Sequence, residues 1–399
     1  MNMYIFTFTL CFNLAYNEDA LILNFNYNGG KIMTEVLSMI GHIRDIPRVL
    51  KKAYDNKSEY IPQMVEFFKT NDIKKVYFLG SGTSHNASLT MRNMFMDIVK
   101  VEACAPEPNV FTYHEKTNPA GIYENNQIAV FGLTQHGDSI STCDAITKAK
   151  NDGHLTVGIT ESVGSPITNI ADATVYLLCE REEIGPETRG YSETLFQFYL
   201  IAIEVAKALG RISEEEYAKL DNDAKKLIED MPTVVAETEA WVNKNMDEFL
   251  KMEKSAICGY GYNWPTAQEG RLKFFETYAR PCTFYEQEEQ IHGPLRAYNE
   301  KNYVFMIASE GDFELKRCVE IAAYYRRVFT EHVFIATCED IEVTEKDLKY
   351  SVKTNDMLST IVYVTPYQVL SALLCEAVGI DTKVSPIKDR SVSGHMPRN

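Results

Sequence analysis

The sequence VYFLGSGTS at residues 76–84 decides the fold. Its first four residues form a short run of β-branched, aromatic and aliphatic side chains, which is typical of a strand buried in a parallel sheet. The run ends at Gly80, and Gly82 follows before helix-compatible sequence begins near Asn86. A strand, a glycine turn and a helix N-terminus bring backbone N–H groups and hydroxyls to one point, which suits a phosphate group. An ordinary strand-to-helix turn is the alternative explanation of this stretch alone.

A second turn of the same kind follows a later strand candidate. The sequence QIAVFGL at 127–133 predicts the strand, and TQHGDS at 134–139 supplies hydroxyls, an amide and a glycine before a helix near 141–151. Open α/β sheets bind ligands at the carboxyl ends of their strands, beside the point where the strand order reverses. The pair of turns therefore predicts one shared phosphate site.

The composition is that of an ordinary globular protein, and 399 residues suffice for two domains. A formal net charge of −16 argues against nucleic acid or an anionic membrane as the main partner, because both attract basic surfaces. The nine cysteines are scattered, without a C-x-x-C pair or a Cys/His cluster. This distribution indicates a reducing, cytoplasmic location and no structural zinc. We expect neither a metal nor a cofactor.

Strand and helix candidates alternate through the rest of the chain. The first half adds strands at 155–160 and 173–179 and a long helix at 192–209, and a helical connection at 211–254 follows. The pattern then restarts, with strands at 256–260, 303–308, 333–337 and 361–364 and helices at 265–279 and 368–378. The alternation predicts an α/β fold with two doubly wound parallel sheets and flanking helices, and the restart indicates an internal duplication.

Three charged residues recur on the predicted helix after Pro265. Glu269, Lys273 and Glu276 stand at i, i+4 and i+7, so that they share one face. Spacing alone favours a solvated charged stripe with Glu–Lys support along the helix. The alternative is an acid/base site, since a carboxylate close to a reacting group can accept or donate its proton.

His292 stands in the acidic stretch EQEEQIHGP at 286–294. A lone loop histidine is most often an ordinary polar residue. Here the nearby carboxylates favour the imidazolium, which could donate a proton. His292 is therefore a second candidate for acid/base chemistry.

Five motifs stand in a characteristic order: GSGTS at 80–84, TQHGDS at 134–139, ADATVYLL at 171–178 followed by EIG at 183–185, EGRLKFFE at 269–276 and HGPL at 292–295. Together they resemble the SIS (sugar isomerase) domain family over about residues 40–390. Within it they are most similar to the two-SIS isomerase half of glutamine–fructose-6-phosphate aminotransferase and to the fructosamine and glucoselysine 6-phosphate deglycases.

The resemblance implies a set of site residues. It assigns the substrate phosphate to two turns: Ser81, Gly82, Thr83, Ser84, Thr134, Gln135, His136 and Ser139. It also assigns substrate contacts to Thr188 and Arg189 and the general base to Glu276, with Lys273 and Glu269 beside it. His136 departs from the pattern, which carries a serine there, and Glu187 likewise replaces a serine.

The resemblance also implies an oligomeric state and a role for residues of the C-terminal tail. The histidine equivalent to His292 assists ring opening from the partner subunit, so that we expect a homodimer with a shared site. Arg390 stands where the synthases carry a Schiff-base lysine, and a guanidinium cannot act as that nucleophile. Lys388 and Lys383 lie close by, and a small shift of register would restore a lysine at this position.

Six segments follow: a non-conforming N-terminal segment at 1–32, N-terminal helices at 33–72, a first SIS domain at 73–210, the helical connection at 211–254, a second SIS domain at 255–380 and a C-terminal tail at 381–399 that closes the active site. The first segment lacks the features of a signal peptide or membrane span, because its apolar run is short and interrupted. The codons of Gly29 and Gly30 can spell a ribosome-binding sequence, so we expect Met33 to be the true start.

The implied function is an enzyme acting on a sugar 6-phosphate that bears an amine. No glutaminase domain is evident and Arg390 replaces the lysine, which favours a deglycase that cleaves a ketosamine 6-phosphate. The alternatives are a ketose–aldose isomerase and a glucosamine-6-phosphate synthase or deaminase that uses free ammonia. A non-catalytic phosphosugar sensor is the third reading, although no helix-turn-helix or basic output segment is evident.

Overall fold

The computed structural model describes residues 27–28, 31–32, 37–389 and 391–396. Tyr27–Asn28 and Lys31–Ile32 form a short antiparallel pair of strands in the unit Met1–Val36. The rest of that unit lies outside the described residues, and so do the Met33 start and Arg390. The proposed start therefore stays a prediction. The second unit, Leu37–Asn399, contains both predicted sheets.

The first sheet has five parallel strands. Their order across the sheet is Glu102–Cys104, Lys75–Gly80, Ile128–Leu133, Leu155–Thr160 and Ala173–Tyr176. The strand order reverses between the second and third of these strands, where Gly80 is the register partner of Leu133. Ligands of doubly wound sheets bind outside this point, and both glycine-containing turns begin there.

The second sheet repeats the topology of the first. Its five parallel strands lie in the order Cys282–Glu286, Lys254–Gly259, Asn302–Ala308, Val333–Thr337 and Leu348–Lys349. In both sheets the chain enters at the second position, moves to the adjacent edge, and then crosses to the third, fourth and fifth positions. The predicted α/β fold is confirmed, and the shared order supports the duplication.

Helices flank both sheets. The α-helices are Met39–Arg44, Ile46–Asp55, Ile61–Thr70, Thr83–Met94, Pro108–Tyr113, Ile140–Asn151, Pro166–Ile170, Arg189–Ala208, Glu214–Lys244, Met246–Phe249, Trp264–Glu276, Phe313–Val328 and Asp356–Val378. The region before the first sheet, predicted to be helical, holds three α-helices. Pro47 and Pro62 occupy the first turns of the second and third helices, a position that proline favours at a new helix start.

One core connects the two sheets. A single cluster of buried apolar side chains includes Phe78 and Phe131 of the first sheet and Ile257 and Phe305 of the second. Helices Arg189–Ala208 and Asp356–Val378 contribute to the same cluster. The two sheets therefore share buried surface, and the domain boundaries within this unit stay predictions.

The strand predicted at 361–364 is wrong. These residues lie inside helix Asp356–Val378, whose N-cap Asn355 accepts a hydrogen bond from the backbone N–H of Leu358 over 2.9 Å. A short apolar run does not distinguish a buried strand from a helix that is buried on every side. This helix is long and apolar enough to cross a membrane, yet 78% of its most apolar stretch is buried inside the protein.

Three edge strands were missed by the sequence analysis, namely Glu102–Cys104, Cys282–Glu286 and Leu348–Lys349. The first and last have three and two residues, too few to show the alternation that marks a half-buried strand. The strand predicted at 173–179 ends at Tyr176, because residues 177–179 leave the sheet.

Candidate functional site

A cavity of about 920 Å³ opens at the carboxyl end of the first sheet. All eight residues predicted for the phosphate pocket line it, and Glu276 lines it as well. The remaining lining residues are Leu133, Ser141, Arg181, Glu182, Glu183, Ile184, Gly185, Glu187, Ser393, Gly394, His395 and Met396. Both glycine-containing turns thus meet at one cavity, and their binding of phosphate stays a prediction.

The first turn depends on glycine. A Cβ at Gly80 would lie 2.6 Å from the carbonyl carbon of Ser84, so that a larger residue would push the helix away from the strand. Gly82 has a φ of +59° and directly precedes the helix that begins at Thr83. The chain therefore turns at once, and Thr83 and Ser84 face the cavity from the positive end of the helix dipole.

The second turn is also tightly packed. Gly137 has a φ of +74°, and a Cβ there would lie 1.9 Å from Ser165 Oγ. The backbone N–H of Ser139 donates to Thr134 Oγ1 over 3.3 Å, and Ser139 Oγ accepts from Thr142 Oγ1 over 3.1 Å. These bonds fix two hydroxyls at the cavity wall before the helix starts at Ile140.

Gln135 and His136 stand between Thr134 and Ser139 in the sequence, and the side chain of each contacts a buried partner that follows a neighbouring strand. His136 Nδ1 lies 2.8 Å from Glu161 Oε1, whose side chain is only 4% exposed. Gln135 Nε2 donates to Cys179 Sγ over 2.8 Å. Burial raises the pKa of the Cys179 thiol well above its usual value, so that this sulfur stays protonated. The histidine that departs from the family pattern thus has a matched carboxylate partner.

The charged residues of the helix Trp264–Glu276 are not a solvated stripe. The side chains of Glu269 and Lys273 are fully buried, and Lys273 Nζ lies 3.2 Å from Glu269 Oε1. The same ammonium lies 2.9 Å from Glu276 Oε2. Glu276 is 37% exposed at its side chain and lines the cavity. The helix therefore carries a buried ion cluster whose accessible end is Glu276.

This cluster bonds the helix to the first glycine-containing turn. Thr83 Oγ1 donates to Glu269 Oε1 over 3.1 Å and lies 3.2 Å from Lys273 Nζ. Asn86 Nδ2 donates to Glu269 Oε2 over 2.6 Å. Side chains of the helices Thr83–Met94 and Trp264–Glu276, one beside each sheet, therefore position Glu276 together.

The pKa values of the cluster follow from its burial and its charges. Burial raises the pKa of the Glu269 carboxyl, although the ammonium of Lys273 opposes the shift. Burial alone would lower the pKa of Lys273, but the charges of Glu269 and Glu276 outweigh it and the net shift is upward. Lys273 therefore stays an ammonium and cannot act as an amine nucleophile.

Residues 181–187 form another wall of the cavity, and Thr188 and Arg189 hold this wall without lining the cavity. Glu182 accepts hydrogen bonds from the backbone N–H of Gly190 over 2.7 Å and from Thr188 Oγ1 over 2.8 Å. Arg189 pairs with Asp45 and donates to backbone carbonyls of the wall. Their predicted contact with substrate stays a prediction.

Glu187 belongs to the same wall and to the ion cluster. Its backbone carbonyl accepts a hydrogen bond from Lys273 Nζ over 2.8 Å. Burial and then the charge of Glu182 raise the pKa of the Glu187 carboxyl well above its usual value. The resemblance to the family marks Glu187 only as a replacement of serine and does not predict its position at the cavity wall.

His292 and the tail lysines lie away from this cavity. His292 is exposed and caps the short 3₁₀ turn Glu289–Ile291. Lys383 and Lys388 are exposed as well. Among the described residues that line the cavity there is no lysine. The roles predicted for His292 and for the tail lysines stay predictions.

The sequence analysis did not name several of the cavity residues. Glu182 directly precedes the EIG motif, so that the motif itself was the available signal. Ser141 and residues 393–396 had no motif or spacing to mark them. Within the described part of the chain, no group of three or more His, Cys, Asp or Glu side chains is arranged to hold a metal ion.

Residues 70–204 match the SIS domain family. Glutamine–fructose-6-phosphate aminotransferase [isomerizing] of Thermococcus kodakarensis is 28% identical over 356 residues, which cover 89% of this chain and 57% of that protein. The chain spans about half the length of the curated relatives it matches.

Solved structures show the same fold at lower sequence identity. The C-terminal domain of glucosamine-fructose-6-phosphate aminotransferase from Francisella tularensis superposes with a TM-score of 0.77 at 17% identity, covering 86% of this chain and 97% of that one. Glucosamine-6-phosphate deaminase from Thermotoga maritima superposes with a TM-score of 0.69 at 20% identity, covering 89% and 99%. The chain therefore carries an SIS domain at residues 70–204 and is homologous to the isomerase half of glutamine–fructose-6-phosphate aminotransferase.

Proposed function

We propose that this chain is an enzyme that cleaves a ketosamine 6-phosphate into a sugar 6-phosphate and an amine. The observation that carries the proposal is that Glu276 and both glycine-containing turns line one cavity. The volume of about 920 Å³ lies within the range of small-molecule sites, roughly 300–1,000 Å³. Two of the similar proteins are named glutamine–fructose-6-phosphate aminotransferase and glucosamine-6-phosphate deaminase. These names support an amino-sugar phosphate as the substrate class.

The phosphate would bind at the two turns. Ser84, Thr134 and Ser139 present hydroxyls around the N-terminus of the helix Thr83–Met94, whose dipole favours an anion. Hydrogen bonds to a charged group are worth about 1.5–3 kcal/mol each. The turns would therefore fix the phosphate end and leave carbons 1 and 2 toward Glu276.

The reaction needs proton transfers and water. Glu276 would remove a proton from C1 of the open-chain ketosamine, a C1–C2 double bond would form, and the C2 carbonyl oxygen would take up a proton from water to give an enaminol. Return of the proton from Glu276 to C2, with the electron pair of the nitrogen forming the C1–N double bond, gives an iminium ion at C1. Water then adds to C1, the amine leaves with a proton, and an aldose 6-phosphate is released.

The lysine amines that the structure describes at the cavity favour a route without an enzyme-bound Schiff base. Among the described lining residues there is no lysine, and Lys273 behind the wall is held as an ammonium by Glu269 and Glu276. A synthase-type mechanism requires a neutral lysine amine at C2. This observation favours the deglycase over the synthase reading.

The second candidate is ketose–aldose isomerisation, which would use Glu276 for the same transfer between C1 and C2 with a hydroxyl in place of the amine. The accessible carboxylate supports this reaction as well. The substrate therefore decides between the two activities.

Product analysis by mass spectrometry tests the proposal. The chain is incubated with a fructosamine 6-phosphate, with fructose 6-phosphate alone, and with fructose 6-phosphate plus ammonia, and unphosphorylated fructosamine serves as the control. We expect a free amine and a sugar 6-phosphate from the first mixture and no turnover of the control. Isomerisation or ammonia incorporation without amine release would overturn the proposal, and binding without any turnover would favour the sensor.

Borohydride trapping separates the chemistries further. With a ketose 6-phosphate present, reduction should leave the mass of the protein unchanged, because no lysine amine is engaged. A reduced adduct on Lys383 or Lys388 would contradict the proposal and favour the synthase-type reading.

A further inference from the structure

We propose that His395 is an additional phosphate ligand of the cavity, brought there by the C-terminal segment 391–396 and oriented by Asp138. This inference rests on the proposed function, since it takes the substrate to be a phosphorylated sugar. None of the motifs that led to the candidate site includes His395. Its position follows from pairing between distant parts of the chain.

The C-terminal segment is joined to the second turn by backbone bonds. Ile140 N–H donates to the carbonyl of Gly394 over 2.9 Å, and Met396 N–H donates to the carbonyl of Asp138 over 2.9 Å. Between these bonds, Ser139 and His395 form an antiparallel bridge. The segment therefore lies beside the hydroxyl that the site offers to phosphate, and Ser393 to Met396 line the same cavity.

The side chain of His395 is fixed at one ring nitrogen and open at the other side. Its Nδ1 lies 2.9 Å from Asp138 Oδ1. The Asp138 side chain is 7% exposed, whereas that of His395 is 58% exposed and borders the cavity. When Nδ1–H donates to the carboxylate, a second N–H at Nε2 makes the ring an imidazolium that can donate to an anion. An imidazolium here would bridge the carboxylate and the phosphate.

The charges around the cavity would give a function to His395 in its imidazolium form. Four acidic side chains line the cavity, at Glu182, Glu183, Glu187 and Glu276, and the pKa of the Glu187 carboxyl is raised by its burial. Of the other ionisable groups that the structure describes in its lining, Arg181 pairs with Glu183 over 3.7 Å and His136 pairs with the buried Glu161. A phosphate dianion would therefore meet hydroxyls and carboxylates, and His395 supplies a cationic donor beside the turn that carries Ser139.

A hydrogen bond between His395 and the phosphate would link phosphate binding to the docking of the C-terminal segment 391–396. A phosphate that contacts both the turn and His395 would stabilise the docked segment, and by linkage the docked segment would raise affinity for phosphate to the same degree. We therefore expect His395 to act on binding of the phosphorylated end of the substrate and not on proton transfer at C1 and C2.

The test measures binding of fructose 6-phosphate to the full chain in the Glu276→Gln background, which separates binding from turnover. His395→Ala should weaken binding about tenfold to hundredfold, the range for a hydrogen bond to a charged group. His395→Arg, which keeps a cationic donor, should recover part of the affinity. His114→Ala, at an exposed histidine outside the cavity, should leave binding unchanged.

A second readout follows the segment itself. Binding of fructose 6-phosphate should slow hydrogen exchange at the amides of Ile140 and Met396, and His395→Ala should remove that protection. Equal affinity in His395→Ala and the parent, or a loss of the same size for unphosphorylated fructose, would overturn the inference. Either result leaves the deglycase proposal intact, which depends on product formation and not on His395.

Discussion

Asn86 Nδ2 lies 2.6 Å from Glu269 Oε2, so that a side chain of the helix Thr83–Met94 donates directly to the fully buried carboxylate beside Lys273. Lys273 in turn contacts Glu276, the proposed base. The helix that follows the proposed phosphate-binding turn thus helps to fix the position of Glu276, through Glu269 and Lys273. Helices beside two sheets that repeat one topology therefore supply complementary parts of one candidate site.

The buried ion cluster predicts a large loss of stability for Lys273→Met. Removal of the ammonium leaves Glu269 as a buried charge without its cation, which typically costs about 3–5 kcal/mol. The double variant Lys273→Met with Glu269→Gln should cost less than Lys273→Met alone, because the uncompensated charge is removed. Urea unfolding measures both values.

The matched control is Lys51→Met, which breaks an exposed pair with Asp55 and should change the free energy of unfolding by less than about 1 kcal/mol. A loss for Lys273→Met as small as that of the control would contradict the role given to the cluster.

The pH dependence of stability has a predicted contribution from Glu193. Its side chain is fully buried, Oε1 accepts from the backbone N–H of Leu178 over 3.2 Å, and burial raises its pKa from 4.5 to about 8. Between these values the folded state keeps a proton that the unfolded state has lost. The free energy of unfolding from this group therefore falls as the pH rises from about 4.5 to about 8.

Glu193→Gln removes that titration. Urea unfolding at about pH 5 and about pH 8 should show a smaller decline in the variant than in the wild type. An equal decline in both proteins would show that Glu193 is ionised in the folded state across this range.

The phosphate turns predict the effect of Ser84→Ala combined with Ser139→Ala. The double variant should bind fructose 6-phosphate at least about tenfold more weakly, because each lost bond to a charged group is worth about 1.5–3 kcal/mol. Calorimetric titration measures the affinity. Ser88→Ala is the control, since Ser88 Oγ bonds to the backbone of its own helix. Unchanged affinity in the double variant would mean that the phosphate binds elsewhere.

The expected homodimer predicts complementation between two inactive variants. If His292 enters the site of the partner subunit, a mixture of Glu276→Gln and His292→Ala chains should regain activity after subunit exchange, because some mixed dimers hold one intact site. Amine release by the mixture measures the recovery. Demonstrated exchange without recovery would count against a shared site.

The sequence predicted the central elements of the fold for a physical reason. The buried strands at the centre of each sheet are apolar on both faces and end at glycines or hydroxyl residues, so that composition alone marks their positions. The strand 333–337 and the strand 155–160 were predicted with their observed bounds. Edge strands of two or three residues lack such a pattern, and the run at 361–364 is buried in a helix instead.

The sequence predicted the parts of the candidate site whose residues lie close together in the chain. It did not predict the parts that distant residues form. The turns and the i, i+4, i+7 spacing of Glu269, Lys273 and Glu276 appear within short stretches of sequence. The burial of that helix face does not, since its polar partners Thr83, Asn86 and Glu187 lie between 86 and 190 residues away in the chain. His395 meets Asp138 across 257 residues, and no local pattern marks His395, although Asp138 lies within the motif at 134–139.

The most direct test of the central claim compares the wild type with Glu276→Gln on a fructosamine 6-phosphate, with amine and sugar phosphate quantified by mass spectrometry. Glu183→Gln, at another carboxylate of the cavity wall, is the matched control. The wild type and the control should release amine. Glu276→Gln should bind the substrate with similar affinity and release amine at least about a hundredfold more slowly, because the amide keeps the shape and loses the basicity. Release by Glu276→Gln at the wild-type rate would contradict the account.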